Sequence, residues 1–594
     1  MRVAAASSNL AAAPSAVNRR AAANDAAEAR ELPGSAEAAV KGDDAPTGSD
    51  ASGTSAESAA PAAAPVAAPA GSMPAAAYIA ASCLLALTQG FGMNMIAGNL
   101  QQLQGAFSAT QAEATWLIAA YLAPNVSLSL ALIKVRAQYG IRTFAEWSIV
   151  GFVLVSMLHL FVTDLPSAIA VRFVAGIAAA PMSSLAFLYM IEKVQPQHKL
   201  TYGLTAALTN IALIPSLTRI MFPTLFELGG VHGLYLFELA LAMASFGAIY
   251  LLPLASPPRA KVIERLDILS YLLVAVGFGS LAIVLTTGRT YWWLEAPWLG
   301  ELLVLSFTCL TIAALIELHR KQPFLDIRWL VSPEILHFTM VLLLFRLLLS
   351  EQTAAATNFF LVMGLQTEQL TGLYTVIAIA TVVGGIACAL VVRPEREPYI
   401  HLVALTLIAV GAWMDSRATN LTRPHDVYLS QALIAAASAM FLPPSMARGL
   451  MNALKKGPNY IFSFIILFLA TQSLGGQFGS ALFGSLITLR EKFHSNILAQ
   501  GITLTDPIVA GRVGQLSAGY GHTLTDTALL KAEGANLLGQ QITREANVLA
   551  YNDVFLLISM LSAGAALCLL IHLTLITIKT RIQNAAPANA PLAT

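Results

Sequence analysis

Five charged side chains fall inside long apolar runs of this sequence: Arg172, Arg219, Glu238, Arg346 and Glu351. Amides share such runs with them, among them Gln89, Asn94 and Gln472. The chemistry open to these groups is narrow. A carboxylate can take up and release a proton, a guanidinium can hold an anion or a polar ligand, and an amide can hydrogen-bond but not titrate. An ionisable group near the centre of a bilayer costs at least ~2.5–3.5 kcal/mol on insertion scales, so it faces a cavity or a partner. Other chemistry is not signposted. His159, His232, His337, His401 and His572 are scattered near the ends of apolar runs, with no metal-binding pair, nucleophilic triad or Gly-x-x-x-x-Gly-Lys motif. Cys83, Cys309, Cys388 and Cys568 lie within apolar runs without metal-ligand spacing and read as small packing residues. Neither an enzyme nor a cofactor is expected.

The elements that must position these groups are helices that cross a membrane. Crossing a ~30 Å hydrocarbon core takes ~20 apolar residues, and in lipid the backbone must satisfy its own hydrogen bonds. Fourteen stretches qualify, near 76–97, 113–133, 144–163, 166–190, 201–225, 232–254, 266–287, 298–318, 335–364, 370–392, 400–416, 427–449, 460–489 and 553–578. Composition agrees: 56% of residues are hydrophobic and 11% charged, against roughly 25% charged in a soluble domain. A net charge of +1 leaves no footprint for a nucleic-acid partner.

Residues 1–72 are Ala, Pro, Ser and Gly with scattered charges. They cannot bury enough apolar surface to offset their ordering entropy and read as a disordered tail. Basic residues set the orientation. Fifteen Lys and Arg occupy one set of short loops, from Lys134 and Arg136 to Lys455 and Lys456; the intervening short loops hold only Arg289, Arg417 and Arg423. That bias predicts both termini in the cytoplasm and the long segment 491–552 outside. Within it, Thr525 to Leu549 spaces Leu529, Leu530, Leu537, Leu538 and Ile542 as an amphipathic helix packed on the membrane domain or on a partner.

The run Leu474-Gly475-Gly476-Gln477-Phe478-Gly479-Ser480-Ala481-Leu482, then Phe493-His494, a long outer loop and Ala550-Tyr551-Asn552-Asp553-Val554-Phe555, resembles the major facilitator superfamily. In particular it resembles the fourteen-span drug:proton antiporters of the EmrB/QacA type. Asn94, Ile96-Ala97-Gly98-Asn99-Leu100, Ala114-Thr115-Trp116-Leu117, and Arg172-Phe173 with Gly176-Ile177 are similar to that family's first, second and fourth spans. The resemblance implies an all-α fold of two six-helix bundles, residues 73–254 and 335–580. Two linker helices and a loop would occupy 255–334, and 581–594 would form a cytoplasmic tail. It also implies a substrate site near the midplane with alternating access, a bacterial inner-membrane location and a periplasmic adaptor protein as partner.

Departures fall on functional positions. The embedded Asp of the family's first span is Gln89 here, which cannot carry a proton. Ile133-Lys134-Val135-Arg136-Ala137-Gln138-Tyr139-Gly140 keeps only the last Gly of the Gly-x-Leu-Ala-Asp-Arg-x-Gly loop. Arg219-Ile220-Met221-Phe222-Pro223-Thr224 replaces the Gly-Pro-x-x-Gly-Gly signature, and Gln472 replaces an Arg.

At 1.5 Å per residue, Arg172, Arg219 and Glu238 each lie ~9 Å from the outer ends of their spans and Gln89 ~12 Å. They are expected as one polar cluster in the outer half of the first bundle. Two readings stand: a cluster facing the central cavity, with Glu238 neutralising one Arg, or a static ion pair locking helices. Arg346 and Glu351 are ~140° apart on their helix, so each should find its partner elsewhere. Glu351 is the candidate for a proton-coupling carboxylate, while Asn125 and Gln431 read as interhelical hydrogen-bonders. The expected function is secondary transport, export of small organic molecules; an uncoupled facilitator and a non-transporting scaffold are the rivals.

Overall fold

The structure, a computed structural model, describes residues 74–585 apart from 256–258, 260, 321, 322 and 324. The expected tail 1–72 and residues 586–594 lie outside the described residues. Among the described residues the chain forms helices and turns only. First come α1 (Ala75–Ala97), a short α2 (Leu100–Phe107), α3 (Gln111–Tyr139), α4 (Ile141–Leu158), α5 (Leu165–Glu192) and α6 (Leu204–Leu251). Next are α7 (Arg265–Tyr291), α8 (Pro297–Leu318) and a single turn, α9 (Ile327–Leu330). The last part holds α10 (Pro333–Leu348), α11 (Thr357–Val362), α12 (Thr371–Val391), α13 (Glu397–Asp415) and α14 (Tyr428–Lys456). Two long helices, α15 (Pro458–Gln500) and α17 (Thr527–Ala585), flank α16 (Pro507–Ala518).

Twelve helical segments are long and apolar enough to cross a membrane, and the bent α3 makes a thirteenth. One of the twelve, Pro196–Leu251, has 56 residues, ~84 Å of helix and far more than a ~30 Å core needs. Its backbone leaves helical geometry at Gly229 and Gly230, where Gly230 takes φ 57° and ψ −141°, a region open essentially to glycine alone. The segment therefore crosses twice, and the fourteen apolar runs correspond to fourteen crossings.

Local sequence sets several ends. Thr110 caps α3: its hydroxyl accepts from the Glu113 amide, and the Glu113 carboxylate accepts from the Thr110 amide at 2.9 Å, a reciprocal box. Pro297 and Pro333 open α8 and α10, where the missing amide proton is no loss.

Successive turns fall alternately on two sides. Gln102 donates to Glu368 (3.3 Å), Arg544 to the Met363 carbonyl (3.1 Å) and Asn552 to the Ala418 carbonyl (2.7 Å), gathering one set of turns. Tyr189 to the Leu252 carbonyl (2.9 Å) and Asp326 to Ser463 (3.1 Å) gather the other. The first set carries α16, and we call it the protrusion side. The amphipathic segment expected at 525–549 is not a separate helix: it is the head of α17 and runs unbroken into the last span. No proline interrupts Thr527–Ala585, so nothing stops the helix at the bilayer edge. It packs on α16, where a Cβ at Gly534 would lie 2.4 Å from the Val513 carbonyl.

Two cores form within the first half, around Phe144, Phe152 and Tyr189 and around Phe91, Phe222 and Leu234. A larger one, around Phe345, Phe359, Phe441 and Tyr551, fills the last part and takes in Leu204 and Leu208 of α6. Small clusters, such as Ile133, Val274, Ala313 and Ile466, join α3, α7, α8 and α15. Close helix approach in lipid depends on small residues. At Gly176 on α5 an added Cβ would lie 2.2 Å from the backbone carbonyl of Tyr121, which cannot step aside; at Gly151 on α4 nothing lies within 4 Å. Gly176→Ala is therefore expected to lower stability by about 1–3 kcal/mol, and Gly151→Ala to raise it by about 0.5–1 kcal/mol. Melting of the two purified variants in detergent checks the pair, and equal melting temperatures would remove the close-approach argument.

Candidate functional site

Two of the expected residues lie deep in the first half. Arg172 on α5 is 1% exposed; its Nη1 donates to the Gly92 carbonyl at 2.7 Å and its guanidinium lies 4.2 Å from the Tyr121 ring centre. Glu238 on α6, also 1% exposed, has His159 Nδ1 at 3.6 Å, and that imidazole stacks on Tyr235. Gly92 joins the two groups, since a Cβ there would lie 2.6 Å from Glu238 Oε1. Every partner in this pocket belongs to the first half of the chain. The arrangement is a closed lock among α1, α3, α5 and α6 rather than a lining of the space between halves. His159 belongs to it too, although its place near the end of an apolar run concealed this.

Arg219 does not join that pocket, contrary to the expected four-residue cluster. Half-buried on α6, it points across to the second half: Nη1 donates to Thr357 Oγ1 at 3.0 Å and the guanidinium lies 5.2 Å from the Tyr374 ring centre. Arg219 precedes and Glu238 follows the break at Gly229–Gly230, so the two lie on separate helical segments of α6. Gln89 is half-buried without a hydrogen-bond partner among the described residues, and Asn94 is engaged by the Gly90 carbonyl of its own helix at 2.8 Å.

In the second half Arg346 and Glu351 find separate partners, as their angular spacing requires. Arg346 Nε donates to the Gln472 carbonyl on α15 at 3.0 Å. The glycine run beside Gln472 makes room for it: a Cβ at Gly476 would lie 2.9 Å from Arg346 Nη2, and one at Gly479 2.2 Å from Ser350 Oγ. Gln472 thus serves through its backbone, and its side-chain nitrogen has no partner. Glu351 opens a π-helical turn, Glu351–Ala356, of the kind frequent at functional sites. It is fully buried and accepts from Gln431 Nε2 at 3.0 Å. The same nitrogen donates to Asp415 Oδ2 at 2.7 Å, and Ser430 donates to the other Asp415 oxygen.

Two buried carboxylates therefore meet on one amide, and among the described residues neither forms a salt bridge. A cavity of about 10 Å³, the size of one water, borders Asp415 and Gln431 and is otherwise lined by apolar groups such as Phe359 and Phe360. Asp415 escaped the sequence reading because it ends its apolar run, the position of a headgroup residue. Only the packing of α13 against α14 brings it inward.

On the opposite side, Asp267 receives Lys134 (2.9 Å) and Arg320 (2.6 Å), and Arg320 also meets Glu317 (3.0 Å) and Glu264 (2.8 Å). Burial opposes the Arg320 charge, but the hydrogen bonds it donates to these three carboxylates outweigh that and hold the guanidinium above its ordinary value. Lys134, a departure from the family loop, thereby ties α3 to α7 and α8. On the protrusion side Asp553 receives Arg490 (2.6 Å) and His494 (2.7 Å), which explains why Phe493-His494 and Asn552-Asp553 occur together.

Removing one member of a buried charged cluster leaves the rest uncompensated. Glu238→Ala is expected to destabilise the fold by about 3–5 kcal/mol, because Arg172 stays buried with no carboxylate in its pocket. Glu238→Gln keeps the shape and should lose clearly less. Thermal melts of both variants check this, and equal losses would remove the electrostatic account.

No protein-family profile matches the chain. Over 258 residues it is 24% identical to the methylenomycin A resistance protein of Bacillus subtilis, covering 41% of this chain and 53% of that protein; the chain thus spans about half the length of that relative. Over 502 residues it is 23% identical to the multidrug export protein EmrB of Escherichia coli K12, covering 80% of this chain and 88% of that protein. Among solved structures, the human organic anion transporter MFSD10 aligns with a TM-score of 0.48 at 12% identity, covering 82% of this chain and 100% of that one. The proton:xylose symporter XylE aligns at 0.44 and 13%, covering 82% and 94%.

Proposed function

We propose that this chain, a divergent member of the major facilitator superfamily, exports small organic molecules across a bacterial inner membrane by alternating access. The observation that carries the reading is the seam between the two halves. Two apolar cores lie within the first half, and the largest one, mostly in the second half, takes in Leu204 and Leu208 at the start of α6; on the protrusion side the halves meet through Arg219 on Thr357 and Gln102 on Glu368. Such polar contacts are worth only about 0.5–3 kcal/mol each, so they can open and re-form while the apolar contact at Leu204 and Leu208 is kept. The names of the two relatives, a resistance protein and an export protein, support the export direction.

The excess of basic residues in one set of loops supports a topology with both termini in the cytoplasm and the protrusion outside. There Leu504, Ile508 and Leu529 expose apolar surface that suits a periplasmic adaptor protein. Of the three embedded arginines, Arg172 and Arg346 are engaged within one half and only Arg219 faces the seam. A neutral or anionic organic substrate therefore fits better than a lipophilic cation. Gln89 removes the first-span proton carrier, so any coupling to protons falls to the carboxylates of the second half.

Transport in inside-out vesicles, with cationic, neutral and anionic compounds and an imposed pH gradient, tests the reading. Gradient-driven uptake of anionic or neutral compounds is expected, and Arg219→Gln should raise KM for anions about tenfold or more, the loss of one charge-assisted contact of about 1.5–3 kcal/mol. Flux indifferent to the gradient would favour the uncoupled facilitator. Folded protein that moves none of the compounds would point to a scaffold.

A further inference from the structure

A chain of hydrogen bonds leads from the seam to the buried carboxylates. Arg219 Nη1 donates to Thr357 Oγ1 (3.0 Å), whose hydroxyl donates to the Gln352 carbonyl (3.0 Å). The Gln352 side chain donates to the Gln431 carbonyl (3.1 Å) and to Gln431 Oε1 (3.3 Å), and Gln431 Nε2 donates to Glu351 and Asp415. Thr357 reaches back five residues to Gln352, a spacing that the π-helical turn supplies. Beyond the acids themselves, Glu351 Oε2 is buried without a partner, and the water-sized cavity reaches Asp415 and Gln431. We infer that Glu351 and Asp415 form a single proton-binding site, bridged by Gln431 and wired through Gln352 and Thr357 to Arg219, so that proton binding and the seam on the protrusion side control each other.

The occupant follows from the donor set. A metal ion between the acids would need oxygen ligands facing it, but the Gln431 nitrogen occupies that place and presents N–H groups. A proton needs only a free carboxylate oxygen, and Glu351 Oε2 is one. Bases and cations on the surrounding elements are engaged elsewhere. Arg346 bonds the Gln472 carbonyl, Arg417 lies over Trp413, Arg289 reaches Thr488, and His425 pairs with Asp426. On α17, Asp553 pairs with Arg490 and His494, while Arg544 bonds the Met363 carbonyl. A proton arriving from hydronium leaves water behind and lowers the charge of the pair from two to one. Gln431 then no longer has two carboxylates to bridge, Gln352 loses its fixed acceptor, and the carbonyl that holds Thr357 for Arg219 shifts. Acid therefore loosens the seam.

The inference rests on the transport reading, but its test needs no substrate. The full chain in lipid nanodiscs carries Cys83→Ala, Cys309→Ala, Cys388→Ala and Cys568→Ala, with spin labels at Gln101→Cys and Gln366→Cys across the seam. The distance between labels is measured from pH 8 to pH 5, and infrared difference spectra over the same titration report carboxyl protonation. Expected are a longer distance at acid pH together with a protonated-carboxyl band. In Glu351→Gln the band should be lost and the distance long at every pH. Thr357→Val keeps both acids, so the band should remain while the distance stops responding, which separates wiring from misfolding. A distance that ignores pH or shortens with acid overturns the inference, as does a response that survives Glu351→Gln with Asp415→Asn. A response to sodium at constant pH overturns the assignment to a proton. Loss of transport alone, with these responses intact, would count against the export reading only.

Discussion

Hydrocarbon offers a polar side chain no water to fall back on, and the architecture follows from how each embedded group meets that condition. Arg172 takes a backbone carbonyl and an aromatic face, Arg346 a backbone carbonyl exposed by a glycine run, and Glu351 an amide on another helix. Each partner lies on a different helix from the charge it serves. The helices are thereby held in one rotational setting, which apolar packing in lipid specifies only weakly because lipid tails and leucine side chains are equally apolar. Small residues make the arrangement possible. Gly92 and Gly476 stand where any side chain would displace the charge beside it.

The two halves use their charges differently. In the first, cation, carboxylate and imidazole are enclosed together, and the pocket behaves as a lock within one bundle. In the second, two carboxyl groups share a single neutral amide, and among the described residues neither has a cationic partner. Like charges held together in a low dielectric repel strongly, so this site gains most from binding something positive. Between the two halves Arg219 is the only embedded charge that reaches across.

The ionic cluster of Lys134, Asp267, Glu264, Glu317 and Arg320 supplies a counterweight on the opposite side. It fastens the two extra helices α7 and α8 to α3 with several bonds at once, while Arg289 on Thr488 and Trp293 on Ser485 tie the far end of α7 to α15.

The sequence by itself determined the class of protein, the fourteen crossings and the need for partners at Arg346 and Glu351. Those properties depend on local quantities: hydropathy summed along ~20 residues and the angle between positions on one helix. It also placed the glycine run beside Gln472 and the paired motifs at His494 and Asp553 in the right neighbourhood. Tertiary structure alone decided which groups meet. Arg172, Arg219 and Glu238 lie at similar depths, yet depth does not set rotation about the helix axis, and Arg219 faces the opposite way from the pocket of the other two. Asp415, at the end of its apolar run, looks like a surface residue until α14 brings Gln431 against it. Contacts between helices far apart in the chain leave no periodic trace in either one, which is why the carboxylate pair and its line to the seam became visible only in the folded molecule.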